Sequence, residues 1–248
     1  MKTALRDKFL RLWEKYFNNA ALPIVFYYTD KEGCAKSAKT ENLTRCLIGA
    51  LENVRKGKSL YFDSDSIGCP GGKRYCGFTH EVTPDFAYFL SYGISGKLNG
   101  ERYVNSPKMV RQIFKNTPSF IAPARYIVFK RWDKLDVIDN PDVVIFFAIP
   151  DVLSGLFTLA RFDEIDRGAV QAPFGSGCAS IIQYPYLEKT SDHPRATIGM
   201  FDPSARPFVH KDMLTLAVPM NKFINMIDNM EKSFLITDSW KRIQKRIG

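Results

Sequence analysis

One short stretch of this 248-residue chain constrains its fold more than any other. Val143 to Ile149 are seven apolar residues in a row, and Pro150 ends the run. A continuous apolar run of this length is typical of a β-strand that is covered on both faces. It is far shorter than the roughly 20 residues that cross a bilayer. The chain is therefore predicted to contain a buried strand and no membrane-spanning segment.

Predicted helices and strands alternate along most of the chain. Apolar spacing and capping residues predict helices over 3–18, 40–56, 84–94, 106–115, 152–161, 219–232 and 236–247. Strands are predicted over 22–28, 59–62, 125–130, 142–148, 195–201 and 213–218. This order predicts an α/β fold: a mixed sheet with flanking helices in one compact domain over residues 1–248.

A repeated pattern points to an internal duplication. A leucine-led apolar segment, a glycine and a Gly-Cys pair occur at 43–50, 57 and 68–69, and again at 153–160, 168 and 177–178. The two copies are separated by 110, 111 and 109 residues at these three points. If the pseudo-repeats 20–80 and 141–186 are real, the fold consists of two similar halves. Coincidence within a repetitive α/β chain is the alternative explanation.

Composition excludes several classes of protein. The chain has 35 Lys and Arg against 26 Asp and Glu, a net charge of +9, and 45% apolar residues. These values are typical of a soluble globular protein and not of a disordered chain or a disulfide scaffold. The first residues are charged and form no signal peptide, so a cytoplasmic location is expected.

The positive charge alone does not predict a nucleic-acid partner. The clearest basic cluster is Lys241, Arg242, Lys245 and Arg246, which suits the C-terminal end of a helix. The apolar stripe around Trp240 leaves a homodimer open, although docking on the protein's own core is the favoured explanation. A small-molecule ligand is therefore the expected partner.

The turn Gly68-Cys-Pro-Gly-Gly-Lys73 is the sharpest local feature. Its glycines allow positive φ and close backbone approach, and successive N–H groups in such a turn bind anions. Lys73 and Arg74 add positive charge, but no Ser or Thr follows Lys73, so the turn is not a Walker A loop. The predicted ligand-binding residues here are Gly68, Cys69, Gly71, Gly72 and Lys73. A purely structural turn is the alternative.

A second glycine turn, Gly175-Ser-Gly-Cys178, matches part of a dinucleotide-binding fingerprint. If a helix begins here, Cys178 lies at its N-terminus, where the helix dipole and free N–H groups lower the pKa of a thiol. Gly175, Gly177 and Cys178 are predicted to line the same cleft, with Cys178 as a reactive or metal-ligating thiolate. The alternative is a small buried residue at a tight turn.

Arg206 follows an acidic turn residue, Asp202. It is predicted either to clamp an anionic ligand with its guanidinium group or to form a structural pair with Asp202.

The cysteines do not show the local spacing of a metal site. They are Cys34, Cys46, Cys69, Cys76 and Cys178. No two of them form a C-x-x-C pair, and the three histidines lack zinc-ligand spacing. A metal site would therefore have to be assembled from distant residues. Cys34 is predicted to face solvent and Cys76 to pack in the core.

Three of the cysteines lie in motifs that resemble a known family. These motifs are Cys46, Cys69-Pro-Gly-Gly72, Gly177-Cys-Ala-Ser-Ile-Ile-Gln-Tyr-Pro185 and the segment from Ile198 to Arg206. They resemble the ArCR family, an uncharacterised family of archaeal and bacterial proteins (domain of unknown function 169), over residues of about 20 to 230.

The resemblance implies no assigned activity, but it implies that Cys46, Cys69 and Cys178 belong to one pattern. It also implies a further cysteine before the arginine, where this chain has Gly199-Met-Phe-Asp-Pro203. That departure leaves a three-thiolate site with an open position, or no metal.

The predicted function is binding of an anionic small molecule or cofactor in a cleft where the Gly-Cys turns and Arg206 converge. Two alternatives stay open. One is an iron–sulfur cluster or other metal held by Cys46, Cys69 and Cys178. The other is an enzyme that uses Cys178 as its nucleophile.

Overall fold

A computed structural model describes residues 3–33, 36–37 and 46–247, with 36–37 described by backbone alone. The α-helices are α1 Thr3–Phe17, α2 Leu47–Arg55, α3 Pro70–Tyr75, α4 Phe86–Phe89, α5 Pro107–Asn116, α6 Pro150–Ala160, α7 Tyr184–Glu188, α8 Met220–Asn229 and α9 Asp238–Gln244. A π-helix, Ala179–Gln183, runs directly into α7. The first part of the predicted helix 40–56 lies outside the described residues, as does Cys34.

The strands form one eight-stranded sheet. They are β1 Ile24–Thr29, β2 Lys36–Ser37, β3 Leu60–Phe62, β4 Tyr126–Arg131, β5 Val143–Ala148, β6 Val170–Gln171, β7 Ala196–Gly199 and β8 Leu214–Pro219. Their order is β2-β3-β4-β1-β5-β8-β7-β6. The outermost pairs, β2 with β3 and β6 with β7, are parallel, and the others are antiparallel. The predicted α/β class and mixed sheet are confirmed.

Strand β5 lies in the middle of the sheet, and all of its side chains are buried, as its apolar run predicts. Val144 is paired with Val25 on one side and with Val218 on the other. Because successive side chains of a strand point to opposite faces, each central strand contributes side chains to two separate cores, one on each face of the sheet. Val25 packs in one core, whereas its neighbours Ile24 and Phe26 pack in the other.

The first face of the sheet is covered by α1, α6, α8 and α9. The rings of Phe9, Trp13, Phe146 and Phe223 touch one another there, with centroid separations of 5.1 Å for Phe9–Phe223 and 5.3 Å for Trp13–Phe146. Trp240 of α9 is fully buried in this layer, and its Nε1–H donates to the Tyr16 carbonyl at 2.9 Å. Trp240 therefore docks on the protein's own core.

The second face is covered by α2, the π-helix and α7, with α3 beside them. The π-helix has a local cause in the sequence. Pro185 has no N–H, so the hydrogen bond that would close a regular α-helical turn onto Ile181 cannot form. The helix is wider over Ala179–Gln183, just before Tyr184 and Pro185. Such π-helical segments are frequent at functional sites.

The strand order is the same when read from either edge. One side gives β2-β3-β4-β1 and the other gives β6-β7-β8-β5, with the same pattern of parallel and antiparallel neighbours. Helix α2 connects β2 to β3, and the π-helix with α7 connects β6 to β7. The two helical connections therefore occupy equivalent positions in the two halves of the sheet.

This arrangement corrects the predicted pairing of 43–50 with 153–160. Helix α2 packs on the second face, whereas α6 packs on the first, so the two are not equivalent. Cys46, at the start of α2, corresponds by topology to Cys178, at the start of the π-helix. Internal duplication itself stays a prediction.

In the ranges that the structure describes, no helix is long and apolar enough to cross a membrane.

Candidate functional site

A cavity of about 790 Å³ lies on the second face of the sheet. Its floor is formed by the starts of α2 and α3, the loop 174–178, the π-helix and residues 202–205. Its roof is residues 79–119, which include α4 and α5. The sequence predicts helices in this region, at 84–94 and 106–115, but α4 covers only Phe86–Phe89.

The roof presents mainly apolar side chains to the cavity, among them Phe86, Phe89, Met109, Ile113 and Phe114. Met109 and Ile113 lie four residues apart on α5, so they share one face of that helix. They are 48% and 43% exposed because they face the cavity and not a protein layer. A small-molecule site typically has such an apolar wall with a few polar groups.

The structure brings most of the predicted site residues together, although they are far apart in the sequence. The cavity is lined by Cys46, Cys69, Gly71, Gly72, Gly175, Gly177 and Cys178. Three predicted residues, Gly68, Lys73 and Arg206, are not among its lining residues.

Residues Gly68 to Lys73 do not form the anion-binding turn that the sequence predicts. Pro70 occupies the first position of α3, so the segment continues as a short helix. Gly71 and Gly72 have no positive φ. Gly72 is required for a different reason: a Cβ atom there would lie 2.9 Å from Cγ2 of Ile67. The glycine therefore allows close packing and not an unusual backbone conformation.

Gly177 also allows a close approach. A Cβ atom at this position would lie 2.8 Å from the Cβ of Ala205 and 3.1 Å from the Met200 sulfur. The start of the π-helix can therefore pack directly against the segment that carries Asp202 and Ala205. This contact forms one side of the cavity floor.

Cysteines stand at the starts of three helices that meet at the floor. Cys46 precedes α2, Cys69 precedes α3 and Cys178 precedes the π-helix. All three line the cavity, and with the buried Cys76 they are free thiols. The four are near enough for the other three to raise the pKa of Cys178. The floor is thus a cluster of thiols drawn from both halves of the chain.

The surroundings of Cys178 do not favour the predicted activation of its thiol. Burial raises the pKa of its thiol well above the ordinary value, and Cys76, Cys46, Cys69 and Asp202 raise it further. Two N–H groups at the helix start already have partners: Ser176 Oγ accepts from Ala179 N–H at 3.2 Å, and Asp202 accepts from Gly177 N–H at 3.2 Å. These surroundings favour the neutral thiol over the thiolate.

Neither predicted role of Arg206 matches its contacts. The Arg206 guanidinium donates to the carbonyl of Lys211 at 2.6 Å and to the carbonyl of Met213. Asp202 instead accepts from the backbone N–H of Ser204 at 2.9 Å and from its hydroxyl at 2.8 Å. Arg206 therefore holds the loop that leads into β8, and Asp202 organises the cavity floor.

Arg74, which the sequence analysis counts as added positive charge but not as a ligand-binding residue, is the cation that reaches the cavity. It is half-buried, and it is the only Lys or Arg among the described residues that line the cavity. Its guanidinium lies 5.0 Å from the ring centroid of Phe114 and donates to the carbonyl of His80. Among residues 3–33 and 46–247, no carboxylate lies within 4.0 Å of it.

The thiol cluster is not a preformed metal centre. Within the described part of the chain, no three or more His, Cys, Asp or Glu side chains are arranged to hold a metal ion. The predicted ligands Cys46, Cys69 and Cys178 share one wall of the cavity, and thiolates are suitable ligands for zinc or an iron–sulfur cluster. Metal binding at these residues stays a prediction.

The fold and the cavity define an α/β protein with a mixed sheet and a thiol-lined cavity on one face. The chain belongs to the DUF169 family, described as uncharacterised ArCR, whose model matches residues 16–229. This match confirms the resemblance seen in the cysteine motifs. No curated protein and no solved structure matches the chain.

Proposed function

We propose that this protein binds a small organic anion in the cavity, with the anionic group at Arg74 and an apolar body against the roof. The observation that carries the proposal is the half-buried Arg74, which faces an apolar cavity without a carboxylate partner among the described residues. An anionic group in the cavity would find Arg74 as its charge partner there.

The contacts of Arg74 leave it able to bind such a ligand. Within the described part of the chain, its guanidinium donates one hydrogen bond, to the His80 carbonyl, and lies against the ring of Phe114. The remaining N–H groups can form the two parallel bonds that carboxylates and phosphates accept from arginine. Asp202, the other charged group in the lining, is already satisfied by Gly177 and Ser204.

The size and lining of the cavity support an apolar body for the ligand. A volume of about 790 Å³ falls within the range of small-molecule sites. The exposed apolar face of α5 gains most from a ligand that shields Met109 and Ile113 from water. The proposed ligand is therefore an amphipathic anion.

Titration of an Arg74→Gln variant tests this proposal. The probes are phenylacetate, octanoate and phenyl phosphate, with 2-phenylethanol as the uncharged counterpart of phenylacetate. Lys73→Gln is the matched control because Lys73 is the adjacent cation on α3 and does not line the cavity. Calorimetry should show that Arg74→Gln weakens anion binding about 10- to 100-fold, as expected for a hydrogen bond to a charged group, whereas Lys73→Gln does not.

Two results would contradict the proposal. One is that none of the three anions binds to the wild-type chain. The other is that an anion binds equally well to wild type and Arg74→Gln, which would place its charge elsewhere.

The thiol cluster supports a second candidate function, a thiolate-ligated metal or iron–sulfur cluster at Cys46, Cys69 and Cys178. The supporting observation is that all three thiols line one cavity, each at the start of a helix that contributes to its floor. Anaerobic reconstitution should then give a near-stoichiometric metal content and a charge-transfer band. Both should be lost in Cys69→Ser and Cys178→Ser and kept in Cys34→Ser. A colourless, metal-free protein after reconstitution would rule this candidate out.

An enzyme that uses Cys178 as its nucleophile has less support, because burial raises the pKa of that thiol and the thiolate is the reactive form. A cytoplasmic location and the lack of a nucleic-acid partner remain predictions from composition.

A further inference from the structure

We infer that the roof, residues 79–119, is a lid that opens and closes above a fixed neck, and that Gln183 holds it shut. The inference rests on the proposed function only in taking the cavity as a ligand site. It concerns how a ligand enters and leaves, whatever the ligand's charge.

The roof leaves and rejoins the rest of the protein at one point, the neck. The Gly77 carbonyl accepts a hydrogen bond from Ala122 N–H at 2.9 Å, although 45 residues separate the two in sequence. Phe78 and Phe120 each place a ring against Tyr28 of β1, with centroid separations of 6.4 and 6.1 Å. The neck is thus fixed to the sheet. The residues between its two segments, 77–78 and 120–122, leave the rest of the protein and return to it at this one place.

The roof has internal structure of its own. Its helices pack through Phe86 of α4 and Phe114 of α5, whose ring centroids are 5.1 Å apart. Glu101 N–H donates to the Phe89 carbonyl at 2.7 Å, and Val104 N–H donates to the Leu90 carbonyl at 3.1 Å. These bonds tie the loop after α4 back onto that helix. The roof can therefore move as one unit without losing its own contacts.

The contacts that bridge roof and floor come from a few side chains at the cavity. Gln183, at the end of the π-helix, donates from Nε2 to the Pro118 carbonyl at 2.6 Å. Arg74 donates to the His80 carbonyl and lies against Phe114. Tyr103 meets Phe174 with ring centroids 5.9 Å apart. Arg74 and Gln183 line the cavity as well, so the residues that hold the roof are also those that a ligand would touch.

Because the cavity separates roof and floor, few side chains of the roof pack directly against the floor. The apolar side chains of α5 face this space and not the floor. A segment with few buried contacts opens locally at a lower free energy than the core. A ligand that fills the cavity and binds the closed form would therefore hold the roof shut.

Hydrogen exchange followed by mass spectrometry tests this inference on the full chain without added ligand. Amides of residues 79–119 should exchange faster than those of β5 and β8. Gln183→Met keeps the side-chain volume and removes the donor to Pro118, so it should speed exchange in the roof about fivefold, the factor for one hydrogen bond. Exchange in β5 and β8 should not change. Gln112→Met, at an exposed position on α5, should leave both regions as in wild type.

The inference is overturned if roof and central strands exchange at one common rate in wild type, or if Gln183→Met speeds both regions equally. Trypsin provides a second readout, because Lys97, Arg102 and Lys108 lie in the roof and should be cut before any site in the sheet. Both measurements are independent of the anion titrations. If the roof exchanges rapidly but no anion binds, the proposed ligand is refuted and the lid is not. If an anion binds but the roof exchanges as slowly as the central strands, the lid is refuted and the proposed ligand is not.

Discussion

On the first face of the sheet, aromatic side chains fill the space between strands and helices, whereas on the second face a cavity of about 790 Å³ separates the floor from the roof. Both faces are served by the same strands, because alternate residues of β1 and β5 point to opposite sides. The first face holds Trp13, Trp132 and Trp240, all buried. The second face holds the thiols, Arg74 and the π-helix.

The comparison assigns different roles to the two layers. Close packing of large rings contributes strongly to stability, and on the first face helices cover the sheet without an intervening cavity. The second face has a buried core between the sheet and the cavity floor, but the space between floor and roof lacks such contacts, so the roof contributes less to stability and leaves room for a ligand. Substitutions on the two faces should therefore differ in kind as well as in size.

The largest expected difference concerns buried aromatic residues. Trp240→Ala should lower the free energy of unfolding by about 3–5 kcal/mol, because it removes ring contacts with Phe17 and Phe234 and the bond to the Tyr16 carbonyl. Phe89→Ala, in the cavity wall, should cost about 1 kcal/mol or less, since Phe89 is 36% exposed. Urea unfolding of both variants measures the difference, and equal losses would show that the cavity wall is packed as tightly as the first face.

A matched pair of glycines gives the next largest effect. A Cβ atom at Gly155 of α6 would lie 2.3 Å from Cη2 of Trp240, so Gly155→Ala should destabilise the protein by about 1–3 kcal/mol through overpacking. At Gly71 on the cavity floor, the nearest atom would be 3.7 Å away. Gly71→Ala should be neutral or raise stability by about 0.5–1 kcal/mol, because alanine favours a helix more than glycine. Thermal unfolding compares the two, and a loss at Gly71 as large as at Gly155 would contradict this contrast.

The smallest effect is a dependence of stability on pH. Burial raises the pKa of Cys178 in the folded chain, so the unfolded thiol loses its proton near pH 9 while the folded one keeps it. The folded state then binds more protons, and the free energy of unfolding falls as pH rises above about 9, by up to about 1.4 kcal/mol per pH unit for this group. Cys178→Ala should show a shallower decline between pH 8 and 10.5 in urea unfolding under reducing conditions. Parallel curves for wild type and variant would contradict the buried thiol.

Local patterns predict the central elements of the fold well. The apolar run at 143–149 predicts β5, and helical spacing over 3–18 predicts α1, since both features depend on neighbouring residues alone. Helix α3 is missed, although Pro70 after Cys69 is the signal for a helix start. The two-residue strands β2 and β6 are missed because two residues show no periodicity.

The site is harder to predict because it depends on contacts between distant segments. Sequence reasoning selects Lys73 as the ligand-binding cation, but the rotation of α3 about its axis places Arg74, and not Lys73, in the cavity lining. The roof's helices are predictable as amphipathic segments. The backbone hydrogen bond from Ala122 to Gly77, which brings the two ends of the roof together, is not predictable from local sequence. The lowered pKa expected for Cys178 does not follow for the same reason: distant segments bury the thiol, which raises its pKa, and Asp202 reaches the helix start from 25 residues away.

The central claim is that the second face holds a ligand site between floor and roof. Amide NMR spectra recorded during a titration with phenylacetate test it most directly, because they report the position of binding residue by residue. The account predicts shifts in residues 69–75, 174–178 and 79–119, with none in α8 or α9, and loss of the shifts in Arg74→Gln. Shifts that cluster on α8 and α9, or no shifts at all, would contradict it.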